Sequence, residues 1–170
     1  LKKIEIIEED ISYTKSSGKL LVSMTSVGIC GSDMHYFDHG GLGSHKQKLP
    51  MQMGHEPAGI IYDAPPGSKF KPGDRVAIEP GFSCFHCGYC HSGKHNLCDH
   101  VEFMGANDYG AFSNYNILDE SQCFKIQDHV TNDTAALFET MGIAMHTFNV
   151  SKFENNSNIL IIGAGPIGLC

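Results

Sequence analysis

Basic residues are scarce in this sequence, and they do not cluster. Only 12 of 170 residues are Lys or Arg, against 19 Asp or Glu, for a formal net charge of −7. Scattered charge of that sign leaves no electrostatic footprint for nucleic acid or an anionic membrane, so neither is expected as a partner. Long apolar runs are also missing, and none approaches the roughly 20 residues that span a bilayer. The opening LKKIEIIEED has neither the apolar stretch nor the small-residue cleavage site of a signal peptide. It has no initiator Met either, which points to a natural start further upstream. Internal repeats and low-complexity segments are absent. Against these deficits stand 41% hydrophobic residues, enough for a core, so disorder is excluded. The length fits one domain, or one domain and a piece of another.

Glycine, cysteine and histidine are plentiful. Nineteen Gly and seven Pro suggest many short strands joined by loops. Candidate strands are IEIIEEDI, KLLVSMTSV, GIIYDA, DRVAIEP, AFSNYNIL and QCFKI. Their spacing predicts a mainly β, compact, partly closed barrel with a few helices. From Thr131 the pattern becomes helical. Leu137, Met141, Ala144, Met145 and Phe148 share one face, and Asn132 or Asp133 is the expected cap. After the polar SKFENNSN comes a short apolar run, ILII, and then GAGPIG.

Of the seven Cys, four stand together as Cys84, Cys87, Cys90 and Cys98, spaced Cys-x2-Cys-x2-Cys-x7-Cys. A disulfide framework would spread its cysteines across the fold, so metal ligation in a reducing cytoplasm is the better reading. Four thiolates can surround one Zn²⁺ tetrahedrally, leaving no position for water, which makes the site structural. Iron–sulfur ligation is disfavoured, because neither the Pro after the fourth Cys nor a second cysteine set is present. His86, His91, His95 and His100 could replace a ligand, but with four thiolates at hand they read as solvated loop residues.

A second constellation is dispersed: Cys30 in GICGSDMHY, then His55 and Glu56 in GHEPAG. Singly, each has a plain explanation as a small buried residue, a loop histidine or a solvated acid. Jointly they form a three-ligand set with a fourth position open, the form of a catalytic zinc site. Their separation in sequence does not establish it.

GICGSDMHY, GHEPAG, KPGDRVAIEPG, the four-cysteine loop and GAGPIG, in that order, resemble the zinc-dependent medium-chain dehydrogenases. Within that family the pattern is most like the polyol (sorbitol) dehydrogenase branch. The resemblance implies a GroES-like catalytic domain over residues 1–150, followed from 158 by the first strand, ILII, of a truncated α/β, NAD(P)-binding Rossmann domain. It also implies two zinc ions per chain, NAD or NADP as cofactor, an alcohol or polyol substrate, and a homo-oligomer, dimer or tetramer. By the same resemblance Cys30, His55 and Glu56 match the catalytic-zinc positions, and Cys84, Cys87, Cys90 and Cys98 the structural ones. Ser32 and His35 match a proton relay, Tyr36 a polyol-contacting tyrosine, and Glu139 a second acid near the zinc. The family pair is Glu-Pro, whereas Thr140 follows Glu139 here.

Glu139 lies off the helix's apolar face, so packing does not explain it, although a helical carboxylate there is usually just solvated. Asp33 is either an acceptor orienting His55 or a turn-capping residue. His35 and Tyr36 can face one cavity only if a helical turn begins near Ser32. In GAGPIG, Gly163 suits a tight turn, Gly165 a close pyrophosphate and Gly168 tight helix packing, with Pro166 and Ile167 between them. The acid that would choose between NAD and NADP falls beyond residue 170, so the chain is expected to belong to a longer enzyme. That enzyme is expected to oxidise a secondary alcohol reversibly. L-Threonine and butanediol are the competing substrates, and a non-catalytic zinc-binding interaction module is the alternative of another class.

Overall fold

KLLVSMTSV forms β1 (Leu20–Gly28), in which Leu20 and Val22 are fully buried. The computed structural model describes residues 3–106, 109–154 and 156–170. After β1 come α1 (Gly31–His39), β2 (Gly41–Leu42), β3 (His45–Lys46), β4 (Glu56–Asp63), β5 (Arg75–Ile78) and β6 (Gly81–Phe82). Then follow α2 (Gly88–His91), β7 (Glu102–Phe103), β8 (Tyr115–Leu118) and β9 (Cys123–Lys125). The helices α3 (Asn132–Ala136), α4 (Phe138–Ser151) and α5 (Pro166–Leu169) close the order. Five strands make one antiparallel sheet in the order β8-β1-β4-β5-β9. Its end strands do not pair with each other among the described residues, so the expected partly closed barrel takes the form of an open sheet.

The two faces of the sheet bury different residues, as a side-chain period of two requires. Val76 and Ile78 join Leu20, Val22, Ile61 and Leu118 in the larger core cluster. Ala77, between them on β5, joins Ala58 of β4 and Ala135 and Ala136 of α3 in the second. Small residues on both sides let α3 lie close to the sheet. Each large buried side chain in the first cluster contributes about 1.5–3 kcal/mol relative to exposure.

Four local expectations need correction. IEIIEEDI forms no strand, and Ile4, Ile6, Ile7 and Ile11 are exposed. The helix after Thr131 is two helices meeting at Leu137, capped by neither Asn132 nor Asp133. Thr131 caps it instead, its Oγ1 accepting from the Thr134 N–H at 3.1 Å. Leu137, Met141, Met145 and Phe148 are exposed, so the apolar face of α4 is not the one turned to the sheet. Residues 159–162 run without sheet pairing, because no neighbouring strand offers them a ladder.

For function, the informative pairing is at one end of the β1–β4 ladder. Gly28, the last residue of β1, stands opposite Glu56, the first of β4. That register brings the segment entering α1 beside His55 and Glu56.

Candidate metal centres and active site

α1 begins directly after Cys30, and its third residue, Asp33, organises the junction. Asp33 is 1% exposed. One of its oxygens accepts the Cys30 N–H at 2.9 Å, and the other accepts the Gly54 N–H at 3.1 Å. A charged acceptor shared by two backbone donors is a strong tie, and here it joins Cys30 to the residue before His55. The oxygen bound to the Gly54 N–H also lies 3.8 Å from His55 Nδ1, longer than a hydrogen bond. Asp33 is thus a cap first, and it also faces the ring nitrogen that turns away from the site.

The dispersed triad is assembled. Cys30, His55 and Glu56 each offer a ligand atom, and these atoms lie within 4.8 Å of one another. His55 is 5% exposed and Glu56 7%. Among the described residues Glu56 has no Lys or Arg partner, and its described hydrogen bond comes from the neutral Thr140 hydroxyl at 3.1 Å. A buried carboxylate without a counter-charge is costly. A cation held by thiolate, imidazole and carboxylate would relieve that cost, so the residues fit a divalent metal such as zinc.

Three helix residues adjoin this set. Ser32 Oγ is 3.4 Å from His55 Nε2. His35, one turn on, is exposed, so the same side of α1 runs from the buried triad to solvent. Tyr36 is 6% exposed and packs inward with Asp33. The helical turn expected near Ser32 is present, since α1 spans Gly31–His39. Glu139, in the first turn of α4, is half-buried. Burial pushes its carboxyl up to about 7, with Glu56 and then Glu79 adding repulsion.

The four loop cysteines also converge, their sulfurs within 4.8 Å of one another. Sγ–Sγ distances of 4.0 Å for Cys84–Cys90 and for Cys87–Cys98 exclude disulfides. N–H groups of Cys90 and Asp99 hold the Cys87 thiol down to about 6, and those of Cys84 and His100 hold Cys98 low. Burial pushes Cys90 up to about 12, with Cys87 the next cause. Packed thiolates repel one another, so a divalent cation again fits the donor set. His86, His91, His95 and His100 are exposed and outside this sulfur cluster.

At GAGPIG, Gly163 has φ +108°, a conformation that disfavours a side chain. A Cβ on Gly168 would stand 2.2 Å from the Gly163 carbonyl oxygen, so the turn packs as the fingerprint needs. Sequence reasoning missed Gly28 in the triad's surroundings, and it noted Thr140 without its bond to Glu56. A Cβ on Gly28 would fall 2.0 Å from Glu56 Oε2. No local signal marks Gly28, because its role arises from pairing across the sheet.

This fold and donor arrangement define a GroES-like dehydrogenase domain. The chain belongs to the alcohol dehydrogenase GroES-like domain family, which it matches over residues 16–128. Among curated proteins it is 34% identical to D-xylulose reductase A of Aspergillus oryzae, over 99% of this chain and 48% of that protein. Among solved structures it resembles L-idonate 5-dehydrogenase of Escherichia coli K-12, with TM-score 0.92 and 31% identity, over 98% of this chain and 49% of that one. An alcohol dehydrogenase of E. coli CFT073 in complex with NADH matches with TM-score 0.87 and 34% identity, over 99% and 48%. The chain spans about half the length of the curated relatives it matches. Among the described residues no helix is long and apolar enough to cross a membrane.

Proposed function

We infer that this chain supplies the metal-binding catalytic domain of a zinc-dependent polyol dehydrogenase, which oxidises a secondary alcohol reversibly with NAD or NADP. The carrying observation is the convergence of Cys30, His55 and Glu56 within 4.8 Å in a chain of this family. In this reading residues 1–150 are the catalytic domain, and a dinucleotide-binding domain begins at about residue 158. The turn geometry of Gly163 and Gly168 and the NADH-bound relative support the cofactor part. Gly163, Gly165, Pro166, Ile167 and Gly168 would line the pyrophosphate. Cys84, Cys87, Cys90 and Cys98 would hold a second, structural zinc. The free thiols suit a reducing compartment such as the cytoplasm.

When bound at the triad, zinc supplies Lewis acidity that lowers the pKa of an alcohol oxygen. The protein's own part is to shape the site and move a proton. Ser32 accepts the substrate hydroxyl proton beside His55, and His35, one turn along α1, delivers it to solvent. Tyr36 and Glu139 engage further hydroxyls. Their mixture of donor and carboxyl groups suits a neutral polyol.

Steady-state kinetics of the full-length enzyme on sorbitol, xylitol, butanediol and L-threonine, each with NAD and NADP, tests the reading. A polyol should give the highest kcat/KM. His55→Ala should stay folded and lose turnover. An active His55→Ala enzyme would end the metal assignment, and a preference for L-threonine would end the polyol one.

A further inference from the structure

Where the family pair has proline, this chain has Thr140, and the substitution puts a donor at the site. Thr140 is 4% exposed, and its Oγ1 donates to Glu56 Oε1 at 3.1 Å across a sequence separation of 84 residues. The other oxygen, Oε2, lies over the end of β1, where a Cβ on Gly28 would come within 2.0 Å of it. The carboxylate is therefore held on one oxygen by a hydroxyl and accommodated on the other by a missing side chain. A proline at position 140 would offer no donor.

We propose that Thr140 is a positioning residue for the metal, pinning one oxygen of Glu56 so that the carboxylate meets Cys30 and His55 in a fixed rotation. The inference rests on the metal reading of that triad. The last torsion of a glutamate side chain is broad and roughly two-fold, so an untethered carboxylate samples many orientations. A ligand whose rotation is already set loses less freedom on binding. Outer partners of this kind are typically worth 10–100-fold in metal affinity. Glu139, the neighbour of Thr140, is half-buried and within electrostatic reach of Glu56, so in this reading the two adjacent residues divide the work. Thr140 orients a ligand, and Glu139 faces substrate.

The test uses the full chain, with Zn²⁺ competed by a chromogenic chelator and Co²⁺ exchanged into the weaker site alone. The native chain should hold two zinc ions, one of them exchangeable. Thr140→Val keeps the shape and removes the donor. It should weaken the exchangeable site by about 10–100-fold and shift its cobalt absorption bands, while the four-cysteine metal stays bound. Thr140→Ser should restore both affinity and spectrum. Native affinity and bands in Thr140→Val would overturn the proposal. So would loss of both metals, or failure of Thr140→Ser to rescue, either of which would assign Thr140 to packing. If the native chain holds metal at the four cysteines only, the reading of the triad falls and takes this inference with it. Two metals in the native chain with an indifferent Thr140→Val sink the inference alone.

Discussion

A single methyl group at position 28 would compete with Glu56 for space. The worst contact, 2.0 Å, is with Oε2, and the Glu56 Cβ at 3.0 Å would have to give slightly as well. Gly28→Ala is therefore expected to cost about 1–3 kcal/mol as local overpacking while the exchangeable metal is lost. Elemental analysis beside far-UV circular dichroism should show one metal lost and the β signal kept. Glu139 gives a second expectation at this scale. Its folded carboxyl titrates at about 7 against 4.5 ordinarily, because burial and then Glu56 and Glu79 oppose its charge. With the exchangeable metal removed, the folded state keeps a proton that the unfolded chain has released. Stability therefore falls as pH rises from about 4.5 through about 7. Glu139→Gln lacks this dependence. Urea midpoints at about pH 5 and about pH 8 should move in the variant's favour at the higher pH. A constant gap would show that Glu139 is already solvated in the folded chain.

Short elements here depend on specific ties. The α3 N-terminus relies on Thr131, whose hydroxyl oxygen accepts from the Thr134 N–H. Thr131→Ala should cost about 1 kcal/mol in denaturant unfolding, and the α3 alanines that cover Ala58 and Ala77 should report it first. The cysteine loop contains only a four-residue helix and a three-residue 3-10 turn. Its order must come from the sulfur cluster, and Cys87→Ser should leave it unfolded because structural zinc contributes folding free energy directly. The loop was the most legible part of the sequence, since four cysteines at ligand spacing carry their chemistry locally. Strand positions β1, β4, β5, β8 and β9 were legible from β-rich runs bounded by turn residues. IEIIEEDI was not, because its composition is that of a strand but a strand also needs a partner. The α4 stripe misled in a similar way. Leu137, Met141, Met145 and Phe148 do share a face, yet Thr140 is the residue buried against the sheet, bonded to Glu56 of β4. Periodicity finds a face without saying what it meets.

At the scale of the molecule, the triad is a long-range object, and this limited what the sequence alone could say of it. Cys30 and His55 come together because β1 and β4 are antiparallel neighbours and because Asp33 bonds to both Cys30 and Gly54. Spacing could not reveal that, although the motif order did. The same ladder carries irregularities between Leu21 and Val22 and between Met24 and Ser26, so its register is not fixed by regular pairing alone. A cation shared between Cys30, just past one strand, and Glu56, at the start of the other, would act as a clasp on that register. Loading it should slow amide hydrogen exchange at Val27, Gly28 and Ala58, at that end of the ladder, more than in β8 or β9. Fast exchange there, unchanged by metal, would mean that the strands hold their alignment without it. If the clasp works, the ion that defines the chemistry also keeps the two central strands from sliding past each other.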